Sequence, residues 1–402
     1  MGLNDTSSAQ RVHIGFFGRR NSGKSSLVNA VTGQALSVVS DVLGTTTDPV
    51  QKSMELLPIG PVLIIDTPGM DDEGELGQLR VEKTRQILRK TDVAVVVMSA
   101  VKEPSEQEKE LLALLQERKV PTILAVNKID LAFEQDFEKW KHFAPGTAKI
   151  FVSAREKKNI EELKNMIGKL AQTAGAEKPI VSDLVQAGDI VILVTPIDAA
   201  APKGRLILPQ QQVLRDLLDH GMIAVVTRET ELAETLSHVK PALVVTDSQA
   251  FGYVKEIVPQ EMPLTSFSVL FARYKGQLET AKAAAGCIDR LQDGDHVLIS
   301  EGCSHHRQCG DIGTQKLPAW LKKHTGKELA LTEFAQDLTK YALVIHCGGC
   351  MLNEREMQYR KEACLQAGVP MTNYGMAIAH MNGILKRSLA VFQTPVKRGE
   401  KE

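Results

Sequence analysis

Gly18-Arg-Arg-Asn-Ser-Gly-Lys-Ser25 fits the pattern G-x-x-x-x-G-K-[ST]. In such a loop the glycines Gly18 and Gly23 let backbone N–H groups close around phosphate oxygens. Asn21, Ser22 and Ser26 lie along the same cradle. The helix that follows adds its positive end, Lys24 reaches the β- and γ-phosphates, and the Ser25 hydroxyl can hold Mg²⁺. Three further motifs follow in order. In Asp66-Thr-Pro-Gly69 the carboxylate can hold Mg²⁺ through water, and Gly69 can offer its N–H to a γ-phosphate. In Asn127-Lys-Ile-Asp130 the Asp130 carboxylate can accept from N1 and the exocyclic amino group of guanine, a donor pair adenine lacks, with Lys128 beside it. Ser153-Ala154 can present backbone N–H groups to the guanine oxygen. One such motif is a weak signal; four in order predict a GTP-binding domain. A chance glycine-rich turn would not be followed by the other three.

The other reactive residues are thiols. All six cysteines lie after residue 286: Cys287, Cys303, Cys309, Cys347, Cys350 and Cys364. Cys347-Gly-Gly-Cys350 lets two thiolates turn toward one centre, and Cys303 offers a third sulfur. Asn353 with Glu356 reads as a helix N-cap just after Cys350, whose positive end favours thiolate over thiol. His305, His306 and His346 are nitrogen candidates. Three thiolates plus a variable ligand suit an iron–sulfur cluster with one open iron, or a Zn²⁺. Spacing alone leaves both open, beside a redox-active or metal-free pair. Cys287 and Cys364 read as core residues, and Cys309 falls outside the pattern.

These residues need strands to carry them. Val12–Phe17, Pro61–Ile65, Thr122–Val126 and Lys149–Val152 are apolar runs, each ending at a nucleotide motif. The expected fold class is α/β: an N-terminal P-loop GTPase domain, mostly parallel sheet with helices on both faces, then two smaller α/β domains. The predicted bounds are a tail at 1–10, the GTP-binding domain at 11–172, a second unit at 180–265 and a third at 266–402. Asn159–Leu170 reads as the helix that closes the first domain and Thr173–Pro179 as a linker. In the second unit Asp189–Val194, Ile223–Val226 and Ala242–Val245 read as buried strands. Gln210–His220 reads as a helix with Val213, Leu214, Leu217 and Leu218 on its buried face; His220 and His238 read as solvated. In the third unit His296–Ser300 runs into Cys303, and Tyr341–Ile345 into Cys347. If those strands are neighbours, Cys303, Cys347 and Cys350 converge beyond their carboxyl ends.

The 402 residues carry a net charge of -1 and 4% aromatic residues, which argues against a nucleic-acid-binding surface. No apolar run has the length of a membrane span, and the N-terminal residues read as a plain polar tail, neither a signal peptide nor a myristoylation site. With no export signal, thiols or metal ligands are expected rather than disulfides.

Gly44-Thr-Thr-Thr-Asp48 resembles the G-T-T-R-D of tRNA-modifying and ribosome-assembly GTPases of the TrmE/Era type, with Thr47 where they carry Arg. The resemblance implies Thr46 on the Mg²⁺ and, through Asn21, a K⁺ beside the phosphates. Met70 stands where Ras-type enzymes carry a water-orienting Gln, so intrinsic hydrolysis is expected to be slow. Asp71, Asp72, Glu73, Glu75 and Gln78 are the possible substitutes. Over nearly its whole length the chain also resembles the HydF family, GTPases that mature FeFe-hydrogenase. The shared features are Cys303-Ser-His305, a long gap and His346-Cys-Gly-Gly-Cys350, with Gly15–Asn21 and Asn373–Ile378. That resemblance implies a GTPase domain, a dimerisation domain and an iron–sulfur domain. It implies a 4Fe-4S cluster on Cys303, Cys347 and Cys350, with His305 or His346 as candidates for an exchangeable fourth position. It implies a cytoplasmic homodimer that takes a transient diiron subcluster from radical-SAM maturation enzymes and delivers it to apo-FeFe-hydrogenase. The competing readings are a TrmE/Era-like GTPase with a zinc-bearing RNA reader, and a redox switch built on Cys347 and Cys350.

Overall fold

The computed structural model describes residues 8, 11–34, 50–57, 59–68, 84–174, 178–196, 206–302, 311–332 and 337–393. Two compact units divide the chain, Met1–Glu177 and Lys178–Glu402.

The first unit is built on β1 (Val12–Phe17), β2 (Val50–Leu56), β3 (Gly60–Asp66), β4 (Val93–Ser99), β5 (Thr122–Asn127) and β6 (Ala148–Phe151). Their order is β2-β3-β1-β4-β5-β6; β2 is antiparallel to β3 and every other pairing is parallel. β4 is buried along its whole length, as a central parallel strand covered on both faces must be. Two cores follow, one on each face. Leu27, Val31, Leu163 and Ile167 come from the helices Lys24–Thr32 and Ile160–Ala174 on one face. Leu111, Leu115 and Trp140 cover the other. The closing helix thus ends at Ala174 rather than Leu170 and takes in the start of the expected linker.

The second unit carries two four-stranded parallel sheets. The first holds β7 (Ile190–Val194), β8 (Ile223–Thr227), β9 (Leu243–Thr246) and β10 (Leu264–Ser266), in the order β10-β9-β7-β8. The second holds β11 (His296–Ser300), β12 (Ala330–Thr332), β13 (Leu343–His346) and β14 (Met371–Asn373), in the order β12-β11-β13-β14. One continuous core joins them: Ile192, Val194 and Val244 pack with Val297, Ile299, Leu343 and Ile345. The predicted boundary at 265/266 falls inside β10 and passes through this core. The helix Phe267–Tyr274 packs Phe267, Leu270 and Phe271 against Val191 and Leu193 of the preceding sheet and Val213 and Leu217 of the helix Leu208–Asp219.

Three local expectations change. β8 is an edge strand, and Ile223 is 51% exposed rather than buried. Leu218 is 57% exposed, because Val213 and Leu217 define the buried stripe of the helix Leu208–Asp219. Cys287 is half-buried against the core rather than inside it, with Arg290 donating to its sulfur at 3.0 Å. Cys364 is buried as expected, and burial raises its thiol pKa. His220 and His238 are exposed as expected.

Candidate functional site

The nucleotide motifs stand at the carboxyl ends of β1, β3, β5 and β6 and hold one another. Ser25 donates its hydroxyl to Asp66 Oδ2 at 2.8 Å, and Lys24 Nζ lies 3.5 Å from Asp66 Oδ1. Lys24 and Asp66 are 8% and 1% exposed, so both groups are withdrawn from bulk water. Asn127 Nδ2 donates to the carbonyls of Ser22 and Gly23 at 3.1 and 3.3 Å, while its Oδ1 accepts from the Ala154 amide at 3.0 Å. Lys128 Nζ donates to the Asn21 carbonyl at 2.7 Å, and Ser153 donates its hydroxyl to Asp130 Oδ1 at 2.7 Å. The close approach needs glycine. A Cβ on Gly18 would meet the Val97 carbonyl oxygen at 2.3 Å, and one on Gly23, at φ +85°, would meet Asn127 Nδ2 at 2.3 Å. The structure thus brings together Gly18, Asn21, Ser22, Gly23, Lys24, Ser25, Asp66, Asn127, Lys128, Asp130, Ser153 and Ala154, and Ser26 follows on the helix. Thr46, Gly69 and Met70, with the acidic residues after it, lie outside the described residues.

The thiol site stands at the carboxyl ends of β11 and β13. These strands are parallel neighbours, with Ser300 opposite His346. The Cys347 amide donates to the Ser300 carbonyl at 2.8 Å, and the Gly302 amide donates to Cys347 Sγ at 3.1 Å. Cys303, next in the chain after Gly302, lies outside the described residues with His305, His306 and Cys309. Gly349 has φ +60°, and a Cβ there would meet the Met357 sulfur at 2.6 Å, so the glycine is required for the turn between the two thiols. Asn353 caps the helix Glu354–Gln366 by accepting from the Glu356 amide at 3.1 Å. That helix start sits just beyond Cys350 and favours negative charge on sulfur. Cys350 and Gly348 form part of the wall of a cavity of about 270 Å³, with Gln210, Asp247, Phe271 and Tyr374. None of the four described cysteines is in a disulfide.

His346 is placed differently from the expectation for an iron ligand. It is 1% exposed, and both ring nitrogens are engaged. Arg360 donates to Nε2 at 2.9 Å; since guanidinium can only donate, the ring proton sits on Nδ1, which donates to the Cys347 carbonyl at 2.6 Å. A ligand role for His346 would cost one of these bonds.

The reading of the sequence missed Lys275. This residue ends the helix Phe267–Tyr274 and is 5% exposed. Its ammonium donates to the Gly349 carbonyl and, at 3.0 Å, to the Leu352 carbonyl, spanning the loop that carries Cys350. Burial pushes its pKa down to about 8, against the opposing pull of Cys350, Cys347 and Glu354. The connector around it is stitched to the helix Glu354–Gln366. Gln277 donates to the Met357 carbonyl at 3.1 Å, and Gln358 donates back to the Lys275 carbonyl at 3.0 Å. One signal was readable: a lysine following the apolar run Phe267–Ala272 and directly before a glycine.

Comparison with known proteins bears on both sites. Residues 13–128 match the family model described as 50S ribosome-binding GTPase. Residues 180–276 match the hydrogen maturase F dimerization domain, and residues 279–391 the hydrogen maturase F tetramerization domain, together more than half of the chain. The chain belongs to the hydrogen maturase F family.

Two curated relatives match this maturase F chain over part of its length. The tRNA modification GTPase MnmE of Clostridioides difficile is 34% identical over 151 residues, 37% of this chain and 32% of that protein. GTPase Der of Thermomicrobium roseum is 32% identical over 174 residues, 39% of this chain and 37% of that protein. The chain thus spans about a third of the length of these relatives. Among solved structures, Aquifex aeolicus Era bound to GDP and aluminium fluoride gives a TM-score of 0.37 at 18% identity, over 61% of this chain and 97% of that one. The two maturase F models meet between Gly276 and Glu279, on the connector that begins with Lys275. Among the described residues no helix is long and apolar enough to cross a membrane.

Proposed function

We propose that this chain is a GTP-hydrolysing scaffold and carrier for FeFe-hydrogenase maturation. It holds a 4Fe-4S cluster on Cys303, Cys347 and Cys350, accepts a diiron subcluster as cargo from radical-SAM maturation enzymes, and delivers it to apo-FeFe-hydrogenase. The observation that carries this reading is the Gly302 amide on Cys347 Sγ at the shared end of β11 and β13. It sets Gly302, the residue that precedes Cys303 in the chain, against the Cys347–Cys350 turn, which supports the reading. The donor set fits the group: two thiols on a glycine turn, a backbone N–H already aimed at one sulfur, a helix start behind the other and a buried cation on the loop. When bound, the cluster supplies an iron with an exchangeable fourth position, for which His305 is the candidate because His346 is committed to Arg360 and the Cys347 carbonyl.

At the other end, Lys24 meets the β- and γ-phosphates of GTP, Ser25, Thr46 and Asp66 hold Mg²⁺, and Gly69 senses the γ-phosphate. Asp130, positioned by Ser153, reads guanine; Asn127 ties the base-reading and phosphate-binding loops together; Lys128 bridges to the phosphate loop. Asn21 holds K⁺, whose charge stands in for an arginine finger. Hydrolysis times the exchange of partners rather than supplying redox chemistry. The division of labour is nucleotide at 11–172, dimer formation at 180–265 and cluster at 266–402, in a homodimer of the cytoplasm. The family descriptions, dimerization and tetramerization, support self-association.

Anaerobic reconstitution with iron and sulfide, followed by EPR, tests this. The expected result is a brown protein with a 4Fe-4S signal that Cys350→Ala lacks. A colourless protein that takes zinc in place of the cluster would overturn the reading. So would a Cys350→Ala variant that holds a full cluster and still activates apo-hydrogenase.

A further inference from the structure

A second set of metal-ligating side chains lies at the amino ends of the β11–β14 strands, opposite the thiols. Asp289 belongs to the turn Gly286–Arg290 that leads into β11. His324 is in the last turn of the helix Leu317–Thr325, which leads back to β12, and His380 in the last turn of the helix Tyr374–Met381, which follows β14. Nε2 of His324 is 2.8 Å from one carboxylate oxygen of Asp289, and Nε2 of His380 is 2.9 Å from the other. The three ligand atoms all lie within 4.8 Å of one another. Nothing in the proposed GTP or cluster chemistry uses these residues.

We propose that Asp289, His324 and His380 form a binding site for a first-row divalent cation, with Zn²⁺ the preferred ion. Two imidazoles and one carboxylate are a three-ligand set that Zn²⁺ takes with water in the fourth position. Imidazole ligation disfavours Mg²⁺ and Ca²⁺, which prefer oxygen. The present arrangement is what such a site leaves when two ring protons replace the ion. Around a tetrahedral ion with bonds of about 2.0–2.1 Å, ligand atoms sit about 3.3–3.4 Å apart. The two nitrogens now sit on different oxygens of Asp289, so a tetrahedral ion would take one of those oxygens, open its present pair by about half an ångström and draw the other imidazole toward it, with the ring protons on Nδ1. Two helix carboxyl ends converge here, and their negative partial charge favours a cation. The ligands ride on a packed base, since Ile288, Leu321 and Ile378 belong to the continuous core beneath them. The Asp289 side chain is 54% exposed, which gives water the open position.

The test uses tag-free full-length protein with Cys303, Cys347 and Cys350 replaced by Ala, so that those thiols do not compete. Calorimetry with Zn²⁺ is expected to show one ion per chain. Co²⁺ is expected to give a visible spectrum without sulfur-to-cobalt charge transfer. His324→Gln and His380→Gln keep an N–H donor for Asp289 but are poor metal ligands, and each should weaken Zn²⁺ binding at least about tenfold. Zn²⁺ should raise the unfolding temperature of the parent and not of the double Gln variant. Unchanged Zn²⁺ affinity in the double Gln variant would overturn the site, as would no zinc binding in the parent. Because the cluster thiols are absent throughout, either result leaves the cluster reading standing.

Discussion

The nucleotide site and the thiol site both stand at the carboxyl ends of parallel strands, but they are held in place by different means. In the first, the motif residues bond to one another: Ser25 to Asp66, Asn127 to the phosphate loop and Ala154, Ser153 to Asp130. In the second, the turn between the thiols is held by a cation from a helix that packs on the neighbouring sheet, Lys275. A self-locking site keeps its geometry wherever its strands are built. A site braced from outside keeps its geometry only while the brace is in place. Four experiments can break or sharpen that contrast.

The largest effect is expected at the sulfurs. Replacing Cys303, Cys347 or Cys350 by Ala should reduce bound cluster iron to background in iron and sulfide assays, while GTP turnover stays within about twofold, since the phosphate loop belongs to the other unit. Lys24→Ala should do the converse, lowering GTP turnover on the order of 100-fold or more with cluster content unchanged. If either substitution silences both readouts, the two sites are not separable.

Asp130→Asn should weaken GTP binding at least about tenfold, because a donor then faces the guanine donors in place of an acceptor. Nucleotide titration measures it, and unchanged affinity would remove Asp130 from guanine reading. In Asn21→Ala the smaller loss should appear as a flattened response to K⁺. Turnover in K⁺ and in Na⁺ at equal ionic strength checks this, and equal rates in the parent would refute the ion site.

The brace makes a prediction about pH. The native state holds the Lys275 pKa near 8, below the unfolded value near 10.5, so the unfolded chain keeps the proton longer. Stability of the cluster-free protein should therefore rise as pH goes from about 8 to 10.5, by about 3 kcal/mol from this residue. Lys275→Met should lose that rise and also release cluster iron to a chelator several-fold faster. Parallel pH–stability curves for parent and variant would rule out the buried lysine as their cause.

The contrast also explains what could be read in the sequence. Each nucleotide motif is a contiguous run that carries its own chemistry, so Gly18–Ser25 and Asn127–Asp130 declare themselves without a fold. Adjacency of β11 and β13 could be stated only as a condition, because parallel neighbours are chosen by packing over long sequence distances. The apolar run before Lys275 and the glycine after it mark a helix end but not a role, which depends on carbonyls at Gly349 and Leu352, more than seventy residues away. His346 looked like a ligand because it adjoins Cys347, yet Arg360 from the following helix claims its free nitrogen. β8 looked buried because Ile223–Val226 is apolar, and an apolar run cannot say whether it lies at the centre of a sheet or at its edge.

The two maturase F models meet between Gly276 and Glu279, so that gap invites anyone isolating the thiol-bearing fragment to cut there. The cut would leave Lys275 on the discarded piece, together with Phe267 and Leu270 beside it. The remaining fragment would keep every described thiol and the whole β11–β14 sheet, but Gly349 and Leu352 would lose their donor. A fragment that begins before Phe267 keeps the ammonium but strips that helix of Val191, Leu193 and Val213, the residues it packs on. The smallest piece that carries both the sulfurs and their support therefore starts at about residue 178, where the second compact unit starts.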